Sequence, residues 1–386
     1  MRAKRSATVQ SGNLISGTQR CNESNIFSKD SSVKPDSDYF TNIYQRYFMQ
    51  RVAQQMLLEH RLIHCDSSYW KCHRKYLNSI LSVYRNPDTQ KAYYSAVETC
   101  GNVKSCPVCA PRIMAQRSTE IRHAVHSWLN ESPDNTCYLL TLTFSHSVND
   151  RLDSLLVAFS DAVQRFWRNG SVKRAFSGFG YRGRITSLEI QYSRINGFHP
   201  HQHVLIFCKK GFYNVDALKT HWITALDYSG LKGISDIALT LFEARSAEQY
   251  LTKISSEMAM GNLKQGRGSG HFSPMQVLSE ACRGESWAES VFAEYYSSTR
   301  SIHSLYWSKY LKQYFGISDK NDFEISQSSD DLHLFCDFPA HYWKKLSLLH
   351  RAYLIACAGS GNFSFAHKVF SDLGVPIWKK YSGDLL

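Results

Sequence analysis

Three segments of the chain alternate between apolar and polar residues, as half-buried strands do: residues 137–144, 184–192 and 199–207. Successive side chains on a strand point to opposite faces of the sheet. Leu188 and Val204 therefore occupy one face, while Glu189, His201 and His203 occupy the other. The pattern predicts a sheet whose aliphatic face is buried and whose other face carries two imidazoles and a carboxylate.

Apolar residues with a helical period surround these strands. The helical patterns cover residues 39–63, 111–129, 151–167, 216–226 and 247–260, and a further strand pattern covers residues 235–242. Strands and helices in this order favour an α+β fold, in which helices cover one face of an antiparallel sheet.

The chain divides into four segments. Residues 1–38 are predicted to be a disordered tail, because they are polar and lack periodicity. Residues 39–130 form a helical, cysteine-rich segment, and residues 131–262 form the sheet domain. A glycine-rich basic loop at residues 261–270 separates it from a mainly helical C-terminal region, residues 271–386.

A hairpin between the second and third strands would bring Glu189 close to His201 and His203. Two imidazoles and a carboxylate on adjacent strands suit a divalent metal ion. Pro200 cannot donate a hydrogen bond to a neighbouring strand. We therefore expect the regular strand to begin at His201 and His199 to lie at the mouth of the site, as a bystander or a supporting group.

Eleven cysteines in a long chain without a secretion signal argue against a disulfide framework. Cys106 and Cys109 have the spacing of structural zinc ligands, and Cys100 precedes them closely. The fourth ligand must come from upstream, where the candidates are Cys72, Cys65, His64 and His73. Such a zinc site would be structural and would orient the basic helix that follows.

Lysine and arginine number 45 against 33 aspartates and glutamates, a net charge of +12. This surplus favours an anionic partner, with nucleic acid ahead of an anionic membrane surface. No apolar run approaches the length of a membrane span and no signal peptide is present, so we expect a cytoplasmic protein. The basic residues that can contact phosphates are Lys173, Arg174, Arg182, Arg184, Lys209 and Lys210. Runs of charged residues more often form a solvated surface than a binding site.

A metal site in a basic chain indicates phosphodiester chemistry, which needs a nucleophile. Tyr250 and Lys253 lie three residues apart in a helical pattern and so face the same side. A free phenol has a pKa of about 10, so a nearby ammonium group would stabilise its ionised form. The chain has 22 tyrosines, and this spacing alone is not diagnostic.

Three motifs in order carry a family resemblance: Leu140-Thr141-Leu142-Thr143, then His199-Pro200-His201-Gln202-His203-Val204-Leu205, then Tyr250-Leu251-Thr252-Lys253. With these motifs the chain resembles plasmid rolling-circle replication initiators (Rep) of the HUH endonuclease superfamily, named for two histidines around a bulky hydrophobe. The likeness is to the plasmid Rep group with a cysteine-rich segment before the nuclease domain, and it covers roughly residues 72–260.

The resemblance implies that His201 and His203 bind Mg²⁺ or Mn²⁺, with Glu189 as a third ligand. Tyr250 would attack a phosphate at the plasmid origin, giving a 5′-phosphotyrosyl enzyme and a free 3′-hydroxyl primer. Residues 131–262 would be the HUH nuclease domain, and Cys72 is favoured as the fourth zinc ligand. The implied partners are origin DNA as a single strand or extruded hairpin, a host helicase and polymerase, and a second copy of the chain.

Two positions depart from the family pattern. Gln202 stands where the motif has a hydrophobe, although the spacing of the ligands is unchanged. Ser246 stands where some relatives place a glutamate that directs water in the terminating cleavage; Glu243, Glu248 or Glu257 are the alternatives.

Other functions remain open at this stage. HUH transposases of the insertion-sequence type carry two tyrosines on the helix, whereas Tyr250 has no tyrosine partner nearby, and relaxases usually place the tyrosine before the histidines. From a different class, the chain could be a non-catalytic, zinc-containing DNA-binding regulator. Nicking activity distinguishes the first two from the last.

Overall fold

The computed structural model describes residues 37–211, 215–234, 236–243, 270–328 and 332–379. The first part of the chain contains α1 (Ser37–Glu59), α2 (Ser68–Lys71), β1 (Ile80–Asn86) and β2 (Lys91–Ser95). The middle contains α3 (Cys109–Glu131), β3 (Asn135–Leu142), α4 (Leu152–Arg168), α5 (Gly170–Ser177), β4 (Gly183–Ser193), β5 (Gly197–Lys209), α6 (Val215–Tyr228) and β6 (Leu239–Glu243).

The last part of the chain is mainly helical but also contains strands. Its elements are β7 (His271–Phe272), α7 (Pro274–Cys282), α8 (Ser286–Thr299), β8 (Leu305–Trp307), α9 (Leu311–Tyr314), α10 (Asp322–Gln327), β9 (His333–Pro339), a 3₁₀ helix (Ala340–Lys344), α11 (Leu348–Ser360) and α12 (Phe363–Asp372). Within the described ranges, no helix is both long and apolar enough to cross a membrane.

The central sheet has the strand order β6-β3-β5-β4-β7, with β8 also beside β4, and its paired strands are antiparallel. β4 and β5 form the predicted hairpin, which closes with Ser193 opposite Gly197. Helices pack against this sheet. The predicted α+β class with an antiparallel sheet is therefore confirmed.

One face of the central sheet is buried with the parity that the sequence predicts. Leu140, Ile190 and Val204 belong to the largest apolar cluster, together with residues of α4 and α6. Trp222 of α6 anchors this cluster through edge-to-face contacts with two phenylalanines of α4, Phe159 at 5.9 Å and Phe166 at 5.7 Å between ring centroids. Each such pair contributes about 0.5–1.5 kcal/mol beyond the area that it buries.

At one of its ends, the opposite face of the sheet is covered by α3. Ile121, Val125 and Trp128 of α3 pack on Leu205 and Phe207 of β5. His201 and His203 continue the same face of β5 beyond this contact. The predicted ligand residues therefore lie on the face that carries α3, beyond the end that the helix covers.

The structure extends β5 further than the sequence predicts. We expected the strand to begin at His201 because Pro200 lacks an N–H group, but β5 begins at Gly197 and Pro200 lies opposite Ile190 of β4. β3 ends at Leu142, opposite Gln202. At Pro200, β5 therefore has β4 on one side and no β3 residue on the other, a place where a strand tolerates proline.

A second, three-stranded sheet has the order β2-β1-β9, and the sequence patterns did not predict it. Val83 of β1 pairs with Cys336 of β9, about 250 residues later in the chain. Leu81, Tyr94 and Phe338 of this sheet form an apolar cluster with α11. The cysteine-rich segment and the end of the chain thus share one core.

Candidate functional site

Glu189 of β4 lies directly opposite His201 of β5, and His203 follows on the same face. One carboxylate oxygen of Glu189, Oε2, is 3.4 Å from Nε2 of His201 and 3.3 Å from Nε2 of His203. The carboxylate side chain is only 2% exposed, and the two imidazoles are 11% and 10% exposed. The structure brings together the three residues that the sequence singled out as metal ligands.

Two neighbouring polar side chains orient this group. The amide of Gln191 donates a 2.8 Å hydrogen bond to Oε1 of Glu189. The hydroxyl of Thr141 lies 3.1 Å from Nδ1 of His203. Because these contacts use Oε1 and Nδ1, they leave Oε2 and Nε2 facing each other. Supporting contacts of this kind fix the rings and carboxylates of metal sites.

Charge in the site follows from its burial. Burial alone would raise the pKa of Glu189, but hydrogen bonds from His201 and His203 outweigh it and hold the pKa below the usual range. Burial, together with the charges of His201 and His146, lowers the pKa of His199 to about 3. The site therefore presents an ionised carboxylate beside a neutral His199 at neutral pH.

The donor set fits a divalent ion. The ligand atoms of Glu189, His201 and His203 all lie within 4.8 Å of one another. Two imidazole nitrogens and one carboxylate oxygen from one side can hold an ion while other coordination positions stay open. Those positions could accept water or phosphate oxygens.

Two histidines lie at the edge of the site: His199, expected there as a bystander or a supporting group, and His146, which the sequence motif does not indicate. Nε2 of His199 lies 2.6 Å from the hydroxyl of Thr143. The ring of His199 stacks on the ring of His146, with centroids 4.7 Å apart. His146 also contacts the backbone oxygen of Asn196 in the β4–β5 turn. The signal that could have found His146 is its position two residues beyond Phe144, just after the first strand pattern.

The four cysteines selected from the sequence form a second cluster. The sulfurs of Cys72, Cys100, Cys106 and Cys109 lie within 4.8 Å of one another. Cys109 is 3.5 Å from Cys72 and 3.8 Å from Cys100. A tetrahedral zinc site with Zn–S bonds of about 2.3 Å has sulfur–sulfur edges of about 3.8 Å. The cluster therefore has the size that a tetrahedral zinc ion requires.

The surroundings of the cysteine cluster also suit thiolates bound to a cation. Burial raises the pKa of the Cys72 and Cys100 thiols, so their ionised forms need a nearby positive charge. The buried amide of Gln50 in α1 donates to the sulfurs of Cys72 (3.1 Å) and Cys106 (3.4 Å). The sequence patterns gave no signal for Gln50. A metal here would tie α1 to the start of α3.

The other candidates for the fourth ligand lie outside this cluster. His64 and Cys65 are exposed. His73 is buried, and its ring packs against Tyr47 with centroids 5.6 Å apart. Among the described residues, the group that can hold a metal is completed by Cys72 rather than by these three.

Four of the basic residues proposed to contact phosphate are exposed. Lys173 and Arg174 are exposed on α5, and Lys209 and Lys210 are exposed at the far end of β5. Lys209 is six positions after His203 on β5, a distance of about 20 Å. Lys209 and Lys210 therefore lie well away from the Glu–His–His group.

Two arginines of this group are held by aromatic rings. The guanidinium of Arg184 lies 3.9 Å from the ring centre of Trp167 and 3.2 Å from the Tyr181 hydroxyl. Arg182 lies 3.5 Å over Tyr314. These contacts give both side chains a packing function on the protein itself.

The candidate nucleophile Tyr250 and its neighbour Lys253 lie outside the described residues, as do Ser246, Glu248 and Glu257. Glu243 is described: it is exposed at the end of β6, opposite Tyr138 of β3. On β3, Thr141 lies opposite His203, and Tyr138 lies three residues before Thr141. Glu243 therefore lies about 10 Å along the sheet from the Thr141–His203 pair.

Comparisons with known proteins found one matching family model and several relatives. Residues 92–226 match the family model described as replication protein. A protein rep of Streptomyces lividans is 26% identical over 310 residues, covering 61% of this chain and 66% of the relative. A neomycin resistance protein of Streptomyces cyanogenus is 31% identical over 131 residues, covering 28% of this chain and 30% of the relative.

A protein rep of Streptococcus pneumoniae serotype 2 is 27% identical over 135 residues, covering 35% of this chain and 40% of the relative. The chain thus spans just under two thirds of the first relative and less than half of the other two. No solved structure matches the chain significantly.

These matches confirm the resemblance to replication proteins of the Rep kind. The matched segment runs from β2 to α6 and contains Glu189, His201 and His203. It also contains three of the four clustered cysteines, whereas Cys72 and Tyr250 lie outside it.

Proposed function

We propose that this chain is a plasmid rolling-circle replication initiator that nicks DNA. The observation that carries the proposal is the convergence of Glu189, His201 and His203 on one sheet face, within the segment that matches the replication protein family. The order of the motifs, with the histidines before a lone Tyr250, supports initiation over transposition or conjugation.

Glu189, His201 and His203 would hold the divalent ion, and Thr141 and Gln191 would keep the ligand atoms directed at it. A bound Mg²⁺ or Mn²⁺ supplies Lewis-acid polarisation of the scissile phosphate. The buried, ionised Glu189 supplies the negative charge that retains the cation.

The proposed reaction is a transesterification. The phenolate oxygen of Tyr250 attacks the phosphorus, the bond to the 3′ oxygen breaks, and the phosphotyrosyl ester joins the enzyme to the 5′ end. The phenol proton passes to solvent, and the leaving 3′ oxygen takes up a proton to become the primer hydroxyl. Lys253, three residues later in the sequence, would stabilise the phenolate.

The remaining parts of the chain complete the proposal. A structural zinc ion on the four cysteines, which all lie in the 39–130 segment, would stabilise that segment and fix the start of α3. Residues 271–386 would contact the origin, a second copy of the chain, or the host helicase and polymerase. Lys173, Arg174, Lys209 and Lys210 would contact phosphates, Lys209 and Lys210 well away from the nick.

The test is covalent attachment to DNA. Supercoiled plasmid DNA that carries the coding sequence and its flanks is incubated with Mn²⁺ and the wild type, Tyr250→Phe or Tyr228→Phe. Tyr228 is 74% exposed at the end of α6 and serves as the matched control. We expect nicked circles and a detergent-resistant adduct from the wild type and the control, and neither from Tyr250→Phe. A wild type that binds this DNA without an adduct would instead be the non-catalytic regulator.

A further inference from the structure

One side of α3 carries exposed polar and basic side chains along most of its length. Five exposed residues recur every three or four positions and so share one side of the helix. We call them the α3 stripe: Gln116, Thr119, Arg122, His126 and Asn130. The types present are amides, a hydroxyl, a guanidinium and an imidazole, without a carboxylate.

The acidic residues of α3 are engaged elsewhere. Glu120 is buried and pairs with Arg117 at 2.9 Å. Glu131, in the last turn, accepts a hydrogen bond from the hydroxyl of Tyr314 at 2.6 Å. Neither carboxylate belongs to the α3 stripe, whose one permanently charged group is the guanidinium of Arg122.

Cations from two other elements lie beside the stripe. Lys91 begins β2 and Arg46 lies on α1. β2 contacts α3 where the guanidinium of Arg112 lies 4.7 Å from the ring centre of Tyr93, and Lys91 lies two residues from Tyr93 on the same face of β2. Partial burial and the charges of Arg46 and Arg122 lower the pKa of Lys91. Throughout the described ranges, none of these three residues forms an ion pair with a carboxylate. Three close cations without a counter-charge form a surface suited to a polyanion.

We propose that the α3 stripe reads the sequence of duplex DNA in a major groove, while Arg46 and Lys91 contact the backbone phosphates. The inference deepens the proposed function, because it rests on DNA as the partner of this chain. The major groove admits an α-helix, and amide and guanidinium side chains pair with the edges of adenine and guanine. From Gln116 to Asn130 the stripe spans about 21 Å of helix, enough to follow several base pairs.

The inner side of α3 connects this surface to the metal-binding residues. Ile121 and Val125 pack on Leu205 of β5, and His203 lies two residues from Leu205 on the same sheet face. The separation along the strand is about 7 Å. Duplex DNA held by the α3 stripe would therefore be fixed relative to Glu189, His201 and His203. The cysteine cluster holds the other end, because Cys109 is the first residue of α3.

The experiment selects duplexes from a randomised 30-base-pair library with the full-length protein. Gln116→Ala and Arg122→Ala remove base contacts, so each should lose preference by about 5- to 100-fold at particular positions of the enriched motif. Lys91→Ala removes a phosphate contact, so it should weaken all sequences alike and lower the salt slope by about one. Lys368→Ala, at an exposed lysine of α12, is the control and should change neither.

Alanine at the exposed helical positions Gln116, Arg122 and Lys368 preserves the helix, and Lys91 is exposed at the first residue of β2. Unchanged thermal unfolding of each variant would verify that the fold is intact. Failure of the wild type to enrich a motif, or an unchanged motif in both stripe variants, overturns the proposal. Binding of poly-glutamate in place of duplex DNA overturns it in favour of an acidic protein partner. The same variants are tested for adducts on single-stranded DNA. If the wild type forms adducts but enriches no duplex motif, only the proposed role of α3 is contradicted. If it enriches a motif but forms no adduct, only the proposed nicking activity is contradicted.

Discussion

The hydroxyl of Thr141 lies 3.1 Å from Nδ1 of His203 on the neighbouring strand. Thr141 and His203 are also register partners in the β3–β5 ladder, so the contact is set by the sheet itself. It directs Nε2 of His203 toward Glu189. A side chain outside the Glu–His–His group thus orients one of the candidate metal ligands.

Replacing Thr141 by valine keeps the shape of the side chain and removes the hydroxyl. We expect Thr141→Val to bind Mn²⁺ about 10- to 100-fold more weakly, because the ring of His203 loses its orienting partner. Calorimetric titration with Mn²⁺ measures the affinity. Thr141→Ser retains the hydroxyl and should bind nearly as the wild type does; equal affinities in all three proteins would contradict the role of Thr141.

The cysteine cluster should bind one zinc ion in each chain. We expect Cys106→Ser to lose the metal and to lower the unfolding midpoint on the order of 10 °C, because metal binding and folding are coupled. Elemental analysis and calorimetry provide the two readouts. Cys282→Ser is the control, since Cys282 lies outside the cluster and is half-buried. Zinc retained at wild-type stoichiometry by Cys106→Ser would contradict the assignment.

The parity of the central strands could be predicted from the sequence because it depends only on alternation. Leu188 and Val204 face the core, and Glu189 and His203 face the other way, as the pattern requires. The hairpin then determines the register that places Glu189 opposite His201. Local rules were therefore sufficient to bring the three candidate metal ligands together.

The second sheet could not be predicted by the same rules. β2 has only five residues, and β1 finds its other partner, β9, about 250 residues later in the chain. No short-range pattern indicates such a pairing. Gln50 was missed for a related reason: a glutamine within a helical pattern has no feature that points to cysteines on other elements.

Gln202 is the residue at which this chain departs from the HUH pattern, and the structure shows a cost. Its Oε1 is buried and has no hydrogen-bond partner within the described part of the chain. An unsatisfied buried polar atom costs about 1–3 kcal/mol. We expect Gln202→Leu to raise the free energy of unfolding in urea by about that amount. Nicking should be unchanged, because Gln202 faces away from His201 and His203; a destabilised variant would contradict this account.

The low pKa of His199 predicts how stability depends on pH. Burial and the charges of His201 and His146 lower the pKa of His199 from 6.5 to about 3. The unfolded chain therefore binds more protons between these values, and stability falls as pH decreases from about 6.5 toward 3. We expect the metal-free His199→Gln protein to lose less stability than the wild type between pH 7 and pH 5, by urea unfolding.

His60→Gln is the matched control for this pH dependence, since His60 is exposed just beyond α1. That variant should follow the wild type at both pH values. If His199→Gln and His60→Gln lose stability equally, His199 is not the group that titrates.

We propose that Tyr250 forms a covalent bond to DNA in a reaction that depends on Glu189, His201 and His203. Trypsin cleaves after Arg245 and Lys253, and residues 246–253 contain Tyr250 as their single tyrosine. The measurement is mass spectrometry of nuclease-trimmed, trypsin-digested adducts formed with Mn²⁺. We predict a nucleotide on the 246–253 peptide from the wild type and none from Glu189→Ala. A nucleotide on another peptide, or an equal yield from Glu189→Ala, would contradict the account.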